Sequence, residues 1–306
     1  MIEVFKTGKN TTEIRSKGDV PFITFKNLDE VAFAGNGFTT RLGGVSKEHL
    51  YSMNLSFTRG DLDENVYRNY EIISDAIGFD MGKIVMSNQT HTTNVKRVYM
   101  EDAGRGMHDK PRFEDIDGLV TNEPGLVLAT FYADCVPLYF IDPVNKAIGL
   151  SHSGWRGTVN RMGKVTLEKM AKEFNTKPED VICAIGPSIC MECYEVSADV
   201  ADEFKEEFDI KNIPKITDEE LDALKNENLE NRIFNSNEVL IDKGNGKYQL
   251  NLWEANKRVL LDAGIKEENL SITDICTCHN PEFLYSHRAS LGKRGNLAAF
   301  LFIKED

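Results

Sequence analysis

The chain has no uninterrupted apolar stretch long enough to cross a bilayer. Its most apolar run, Leu126 to Ile141, carries Asp134 and Pro137 in its middle, whereas a spanning helix needs about 20 consecutive apolar residues. No apolar segment follows the opening Met1-Ile2-Glu3-Val4-Phe5-Lys6, so no secretory signal is expected. These absences predict a soluble, cytoplasmic protein with no membrane partner. Positive charge is also scarce: 36 Lys and Arg against 49 Asp and Glu leave a net charge of −13. A surface of that sign repels polyanions, so no extended nucleic-acid interface is expected, although one local basic pocket can still take a small anion. Histidines number six and are scattered, which argues against the many-histidine centre of a multicopper oxidase. Low-complexity tracts, internal repeats and a compact H-E-x-x-H motif are all missing.

What is present is ordinary globular material. The 306 residues are 41% hydrophobic and 28% charged, and a chain of this size buries roughly three quarters of its unfolded surface. Alternating or continuous apolar runs predict strands at 31–34, 84–86, 94–99, 126–132, 136–141, 147–150, 181–185, 271–276 and 298–303. Helical spacing predicts helices at about 64–77, 158–174 and 252–263. Asp142-Pro143-Val144-Asn145 reads as a hairpin turn. Strands and helices mix without a strict βαβ rhythm, so the expected class is α+β with mixed sheets. The chain reads as a single catalytic domain, 1–306, with an acidic helical insert at the surface over about 201–242.

Three segments carry the candidate chemistry. They are Gln89-Thr90-His91-Thr92, Ala133-Asp134-Cys135-Val136-Pro137 and His152-Ser153-Gly154-Trp155-Arg156-Gly157. Each puts a His or Cys at the end of a predicted strand, where a rigid scaffold presents reactive groups. Cys135 and His152 lie on strands joined by one hairpin, so they can be neighbours. Two imidazoles and one thiolate suit zinc, and three protein ligands leave the fourth position open, as in catalytic sites. Such a zinc lowers the pKa of a bound water to ~7. Copper binds the same donors more tightly on raw affinity. Read singly, each residue has a plainer role: a histidine satisfied at a strand end, or a cysteine packed as a small apolar side chain. The glycines at 154 and 157 precede a predicted helix and suit an anion such as phosphate, with Arg156 adding a bidentate contact.

The remaining cysteines fall in two pairs, Cys190-Met191-Glu192-Cys193 and Cys276-Thr277-Cys278-His279, beside the single Cys183. Together the pairs can form a second metal site. Alternatively the first is a redox pair, and the second packs one face of a strand. His287-Arg288 and Lys293-Arg294-Gly295 make a basic cluster, functional if it lies beside a phosphate site.

Taken together, these segments resemble the laccase-like polyphenol oxidoreductase family, whose members are described as purine nucleoside phosphorylases with adenosine deaminase activity and one branch of which is called peptidoglycan editing factor. The resemblance runs along nearly the whole chain. It includes Thr39-Thr40-Arg41-Leu42-Gly43-Gly44-Val45-Ser46, Asn54-Leu55-Ser56, Asp117-Gly118-Leu119-Val120, Gly186-Pro187-Ser188-Ile189, Cys193-Tyr194-Glu195-Val196 and Ser286-His287-Arg288, besides the three segments above. It departs from the family at Thr90-His91-Thr92, where Val-His-Gly is usual, and at Ser286-His287-Arg288, where Tyr-Arg-Arg is usual. The resemblance implies layered mixed β-sheets flanked by helices, similar to the catalytic domain of the cytotoxic necrotizing factor toxins. It implies zinc on His91, Cys135 and His152, phosphorolysis of adenosine, inosine and methylthioadenosine, and deamination of adenosine. On that reading Arg41, Arg156 and the backbone near Gly154 and Gly157 neutralise phosphate, and Asp134 is an acid/base group or a partner of a metal ligand. Two other readings remain at this stage. One is a metal-free cysteine hydrolase of amides or peptidoglycan precursors, with Cys135 as nucleophile and His152 as base. The other is a copper-dependent polyphenol oxidase.

Overall fold

The computed structural model describes residues 3–107 and 111–305. In chain order the strands are β1 (Thr12–Lys17), β2 (Val20–Phe25), β3 (Ala34–Thr39), β4 (Ile84–Met86), β5 (Val95–Arg97), β6 (Gly118–Thr121), β7 (Val127–Tyr132), β8 (Val136–Asp142), β9 (Ala147–Ser153), β10 (Ile182–Ile185), β11 (Glu195–Ser197), β12 (Leu240–Gly244), β13 (Lys247–Leu250), β14 (Leu270–Ile272) and β15 (Leu297–Ile303). The helices are α1 (Lys26–Asp29), α2 (Asp63–Ile77), α3 (Trp155–Val159), α4 (Met162–Phe174), α5 (Ala198–Glu207), α6 (Asp218–Leu224) and α7 (Leu252–Asp262).

Two six-stranded mixed sheets, ordered β1-β2-β3-β15-β7-β4 and β14-β10-β8-β9-β6-β5, stack face to face, and a small third sheet is ordered β11-β13-β12. Residue alternation shows why. Along β15, Leu297, Ala299, Leu301 and Ile303 join the core between the sheets. The intervening Ala298, Phe300 and Phe302 pack with Val66, Tyr70 and Ile73 of α2. On the other sheet, Tyr139 and Ile141 of β8 face inward, while Leu138 and Phe140 meet Leu167 and Met170 of α4 and Leu260 of α7. Both faces of each sheet are covered, so these central strands read as unbroken apolar runs. The result is an α–β–β–α stack, the mixed α+β class expected. Among the described residues no helix is long and apolar enough to cross a membrane.

Several local expectations shift. Val31, Ala32 and Phe33 form a turn, and the strand starts at Ala34. The helix expected over 158–174 is two, because Arg161 takes a left-handed conformation at φ 58° between α3 and α4. Its guanidinium is tied to Glu207 at 2.7 Å and Asp262 at 2.8 Å. The strand expected over 271–276 ends at Ile272, and the chain from Thr277 to His279 is a turn. The hairpin turn forms as expected: Asp142 Oδ1 accepts from the N–H groups of Val144 and Asn145. Over 201–242 the chain comprises most of α5, all of α6 and the start of β12; Ala201 and Phe204 are fully buried in the core outside β8, and Leu221 packs on Met191 and Ile241.

Candidate metal centre

Three loops converge at one end of the stack. Val136 pairs with Ser153 and Pro137 with His152 in the β8–β9 ladder, so Cys135, one residue before β8, stands beside the end of β9. It sits in the tight turn from β7, where Asp134 adopts φ 86°. His91 lies in the loop from β4 to β5 at φ 65°. Non-glycine residues with positive φ are uncommon and hold only where surroundings enforce them. Here the two strained residues carry, or stand next to, a candidate ligand. One donor atom each from His91, Cys135 and His152 fall within 4.8 Å of one another. Cys135 Sγ is 4.0 Å from His91 Nε2, and the two imidazole rings meet edge to face at 4.9 Å.

The group that aligns them is Asp117, directly before β6 and fully buried. Its Oδ1 lies 2.7 Å from His152 Nδ1. The same carboxylate accepts the backbone N–H groups of Thr90 and Thr92, each at 3.0 Å, and of His91 at 3.1 Å. One side chain thus fixes the ring of His152 and the loop of His91 together. With Nδ1 committed to the carboxylate, Nε2 of His152 is the nitrogen left for a ligand, the usual arrangement around metal-bound histidine. Gln89 adds a second anchor: its amide donates to Phe131 O at 3.0 Å and accepts from Phe131 N at 2.7 Å.

Electrostatics follow from this packing. Burial alone would push the Cys135 thiol up, but the charge of His152, its hydrogen bond, and His91 outweigh it and bring the thiol down to about 6. Burial would likewise lower His152; the Cys135 thiolate and the Asp117 carboxylate instead raise it to about 9. Burial would raise Asp117, yet its bonds from His152 and the backbone N–H groups hold it below the usual carboxylate range. These directions favour a thiolate beside a protonated imidazole between about pH 6 and 9 when no metal is bound. The donor set fits a metal: a stabilised thiolate, an oriented imidazole and a second imidazole. Gly154 leaves the needed room, since a Cβ there would sit 3.0 Å from His91 Cδ2 and 3.1 Å from Cys135 Sγ.

Two hollows meet at His91 and Cys135. One, about 200 Å³, is lined by Arg59, Arg112, Arg294, Gln89 and Ser56. The other, about 100 Å³, is lined by Trp155, Tyr194, Ile189, Leu252, Arg156 and Asp134. Of the three arginines lining the first, Arg294 bonds Asn296 Oδ1 through Nη1, while its Nε is buried with no partner. Burial and the neighbouring charge of Arg59 lower its pKa to about 10. An anion between these guanidinium groups would relieve both.

Of the residues expected to bind substrate, Arg156 lines the smaller hollow and stacks over Trp155 at 4.2 Å. Arg41 lies elsewhere: it donates to Tyr51 O at 2.9 Å and Pro281 O at 2.7 Å, and its guanidinium covers the Tyr285 ring. Gly157 is buried in α3 near Ser153 and Met162, and the Gly154 carbonyl is taken by Thr158 N–H and Oγ1. Both oxygens of Asp134 are engaged, accepting from Thr277 Oγ1 at 2.6 Å and Arg288 N at 2.7 Å. It therefore ties the Cys135 turn to the 277–288 segment, and the carboxylate that orients a candidate ligand is Asp117. Sequence reasoning gave Asp117, Arg59, Arg112 and Gln89 no role. The available signals were the Asp directly before the β6 strand and the Gln two residues before His91. Of the basic cluster at 293–295, Arg294 is the member that lines the cleft.

Comparison with known proteins gives a consistent picture. The sequence profile of the family described as "Multi-copper polyphenol oxidoreductase laccase" matches residues 35–304. Purine nucleoside phosphorylase YlmD of Bacillus subtilis is 34% identical over 270 residues, covering 88% of each chain. Adenosine deaminase RL5, from an unknown prokaryotic organism, is 29% identical over 260 residues, covering 83% of this chain and 88% of its own. The crystal structure of YlmD from Geobacillus stearothermophilus superposes with a TM-score of 0.81 at 28% identity, covering 95% of this chain and 99% of the other.

Proposed function

We propose, from the premise that this chain belongs to the multi-copper polyphenol oxidoreductase laccase family, that it is a zinc-dependent purine nucleoside phosphorylase acting on adenosine, inosine and methylthioadenosine, with adenosine deaminase activity. Relatives named for both activities support enzyme status. The observation that carries the reading is the three-donor set of His91, Cys135 and His152 opening onto a cleft lined by Arg59, Arg112 and Arg294.

In this reading His91, Cys135 and His152 hold the zinc, with His152 presenting Nε2 because Asp117 occupies Nδ1. The metal supplies a Lewis acid that polarises an oxygen of phosphate or water. Arg59, Arg112 and Arg294 take the charge of phosphate, each charge-assisted bond shorter and stronger than a neutral one. Trp155 and Tyr194 give the purine ring a flat apolar wall in the smaller hollow, with Arg156 at its mouth. Phosphate and base thereby sit on opposite sides of the ligand set, which puts the ribose at the centre. Holding two reactants in this order lowers the barrier by removing the entropy of bringing them together. Asp134 contributes by fixing the turn that carries Cys135.

The donor chemistry favours zinc over a copper oxidase: among the described residues the centre offers two imidazoles and one thiolate, too few histidines for a multicopper cluster. One observation favours a second reading, a metal-free cysteine hydrolase acting on amides or peptidoglycan precursors: Cys135, His152 and Asp117 line up as nucleophile, base and orienting carboxylate. His91, within reach of the same sulfur, is a fourth member that such a triad does not need.

The test is chromatography of the zinc-loaded protein incubated with adenosine or inosine, with and without phosphate, beside Cys135→Ala. Phosphate-dependent release of adenine or hypoxanthine, lost in the variant and after chelation, is the expected result. Base release that survives removal of zinc overturns the zinc dependence. Folded, zinc-loaded protein that leaves both nucleosides intact overturns the nucleoside reading.

A further inference from the structure

The two cysteine pairs left aside by the first centre come together in space. Cys190 precedes and Cys193 ends the short 3-10 turn Met191–Cys193, and Cys276 precedes and His279 ends the turn that replaces the expected strand end. The donor atoms of Cys190, Cys193, Cys276 and His279 all lie within 4.8 Å of one another. Cys190 Sγ is 3.6 Å from His279 Nδ1, and Cys193 Sγ is 3.3 Å from His279 Nε2. Tetrahedral zinc with Zn–S bonds of about 2.3 Å and Zn–N bonds of about 2.1 Å separates its ligands by roughly 3.5–3.8 Å. The separation of Cys190 Sγ from His279 Nδ1 already matches that spacing, all four donors lie within 4.8 Å of one another, and no disulfide joins them.

The surroundings match a metal site rather than a packed cluster of thiols. Cys190 and Cys276 are fully buried, and the N–H of Cys190 donates to Cys276 Sγ at 3.3 Å, a bond that a thiolate accepts well. Glu192 Oε2 lies 3.1 Å from His279 Nε2 and pairs with Arg232. Ligation through Nδ1 would leave Nε2–H to that carboxylate, the outer contact typical of zinc-bound histidine. Arg288 Nη1 donates to the carbonyl of Cys193 at 3.2 Å, which places a cation beside the extra negative charge that three thiolates and one imidazole leave on Zn²⁺. Cys278 is half-buried and stands outside the set.

We propose that Cys190, Cys193, Cys276 and His279 form a second, structural zinc site, closed by four protein ligands, that staples the 191–193 turn to the 276–279 turn. On binding, the three thiols each release a proton as a Zn–S bond forms. Four ligands leave no open position, so this metal does no chemistry itself. Its neighbours give it a task. Ile189 N–H donates to Asp134 O at 3.0 Å, and Thr277 Oγ1 donates to Asp134 Oδ1 at 2.6 Å. Each is one residue from a proposed ligand. The staple therefore holds two of the supports of the turn that presents Cys135.

The proposal is independent of the nucleoside reading, and the test keeps them apart. In the full chain, His91→Ala combined with Cys135→Ser dismantles the first centre. That variant should retain about one zinc per chain against about two in the parent protein, by elemental analysis after exhaustive dialysis. Cobalt exchanged into it should give the visible bands of tetrahedral cobalt with thiolate charge transfer. Adding Cys193→Ser should remove the bands, whereas adding Cys278→Ser should leave them. A folded double variant with no zinc and no tetrahedral cobalt spectrum overturns the proposal. So does a disulfide among Cys190, Cys193 and Cys276 found by mass spectrometry of unreduced protein, or an iron–sulfur chromophore in place of zinc.

Discussion

Asp117 Oδ1 stands 2.7 Å from His152 Nδ1, and the same carboxylate holds three consecutive backbone N–H groups around His91. One buried side chain thus couples two histidines that are 61 positions apart in the chain. The coupling explains how a loop residue with positive φ can serve as a ligand: its backbone is fastened to the group that orients its partner.

Replacing that carboxylate tests the coupling. Asp117→Asn keeps one acceptor oxygen but loses the charge, so His152 loses basicity and its fixed tautomer. Zinc affinity at the first centre should fall roughly 10- to 100-fold, measured by competition with a chromogenic chelator in the Cys193→Ser background, which isolates the first centre. Unchanged affinity would show that the histidines are positioned by something other than Asp117.

The thiol of Cys135 should betray its neighbours once metal is removed. Its pKa is lowered to about 6, so the reactive thiolate is present above that pH and is lost as pH falls through it. Alkylation of Cys135 in chelated protein, followed by peptide mass spectrometry, should show a rate midpoint near there. Zinc should protect the thiol. In His152→Gln the midpoint should rise toward the ordinary cysteine value of ~8.5; a midpoint unmoved by that change would remove His152 as the cause.

Gly154→Ala should weaken zinc binding without unfolding the protein. The added Cβ meets His91 Cδ2 at 3.0 Å and Cys135 Sγ at 3.1 Å, closer than carbon contacts settle. His91 is on an exposed loop and is the group that must yield. A loss of roughly tenfold in zinc affinity is expected, with the thermal midpoint little changed. Retention of full affinity would mean that the loop absorbs the methyl freely.

The arginines separate by position. Arg294→Ala removes one of the three guanidinium groups that line the cleft, and a lost charge-assisted bond costs about 1.5–3 kcal/mol. The expected result is a rise of roughly 10- to 100-fold in the phosphate KM with zinc content intact. Arg41→Ala breaks bonds to Tyr51 O and Pro281 O and should lower the thermal midpoint while leaving the phosphate KM alone. The opposite pattern, with Arg41 controlling phosphate and Arg294 silent, would refute the placement of the anion.

Local pattern alone determined a good deal here. The largely apolar runs at β7, β8 and β15 announce strands covered on both faces, because a strand exposed on one side would alternate. The spacing of Val66, Tyr70 and Ile73 marks α2 in the same way. Cys135 and His152 were legible as donors because they stand at strand ends, while His91 proves to lie in the loop four residues before β5, and the order of motifs pointed to the family. Tertiary structure alone decided which carboxylate serves them. Asp134 adjoins Cys135 in sequence, but its positive φ turns its carboxylate toward Thr277 and Arg288, whereas Asp117 is delivered to His152 by the β6–β9 pairing. It also decided that Arg294 rather than Arg41 faces the cleft, and that Cys276 and His279 curl toward Cys190 and Cys193. Those outcomes depend on which segments the sheets bring side by side, and sheet neighbours are set by long-range packing that no local spacing records.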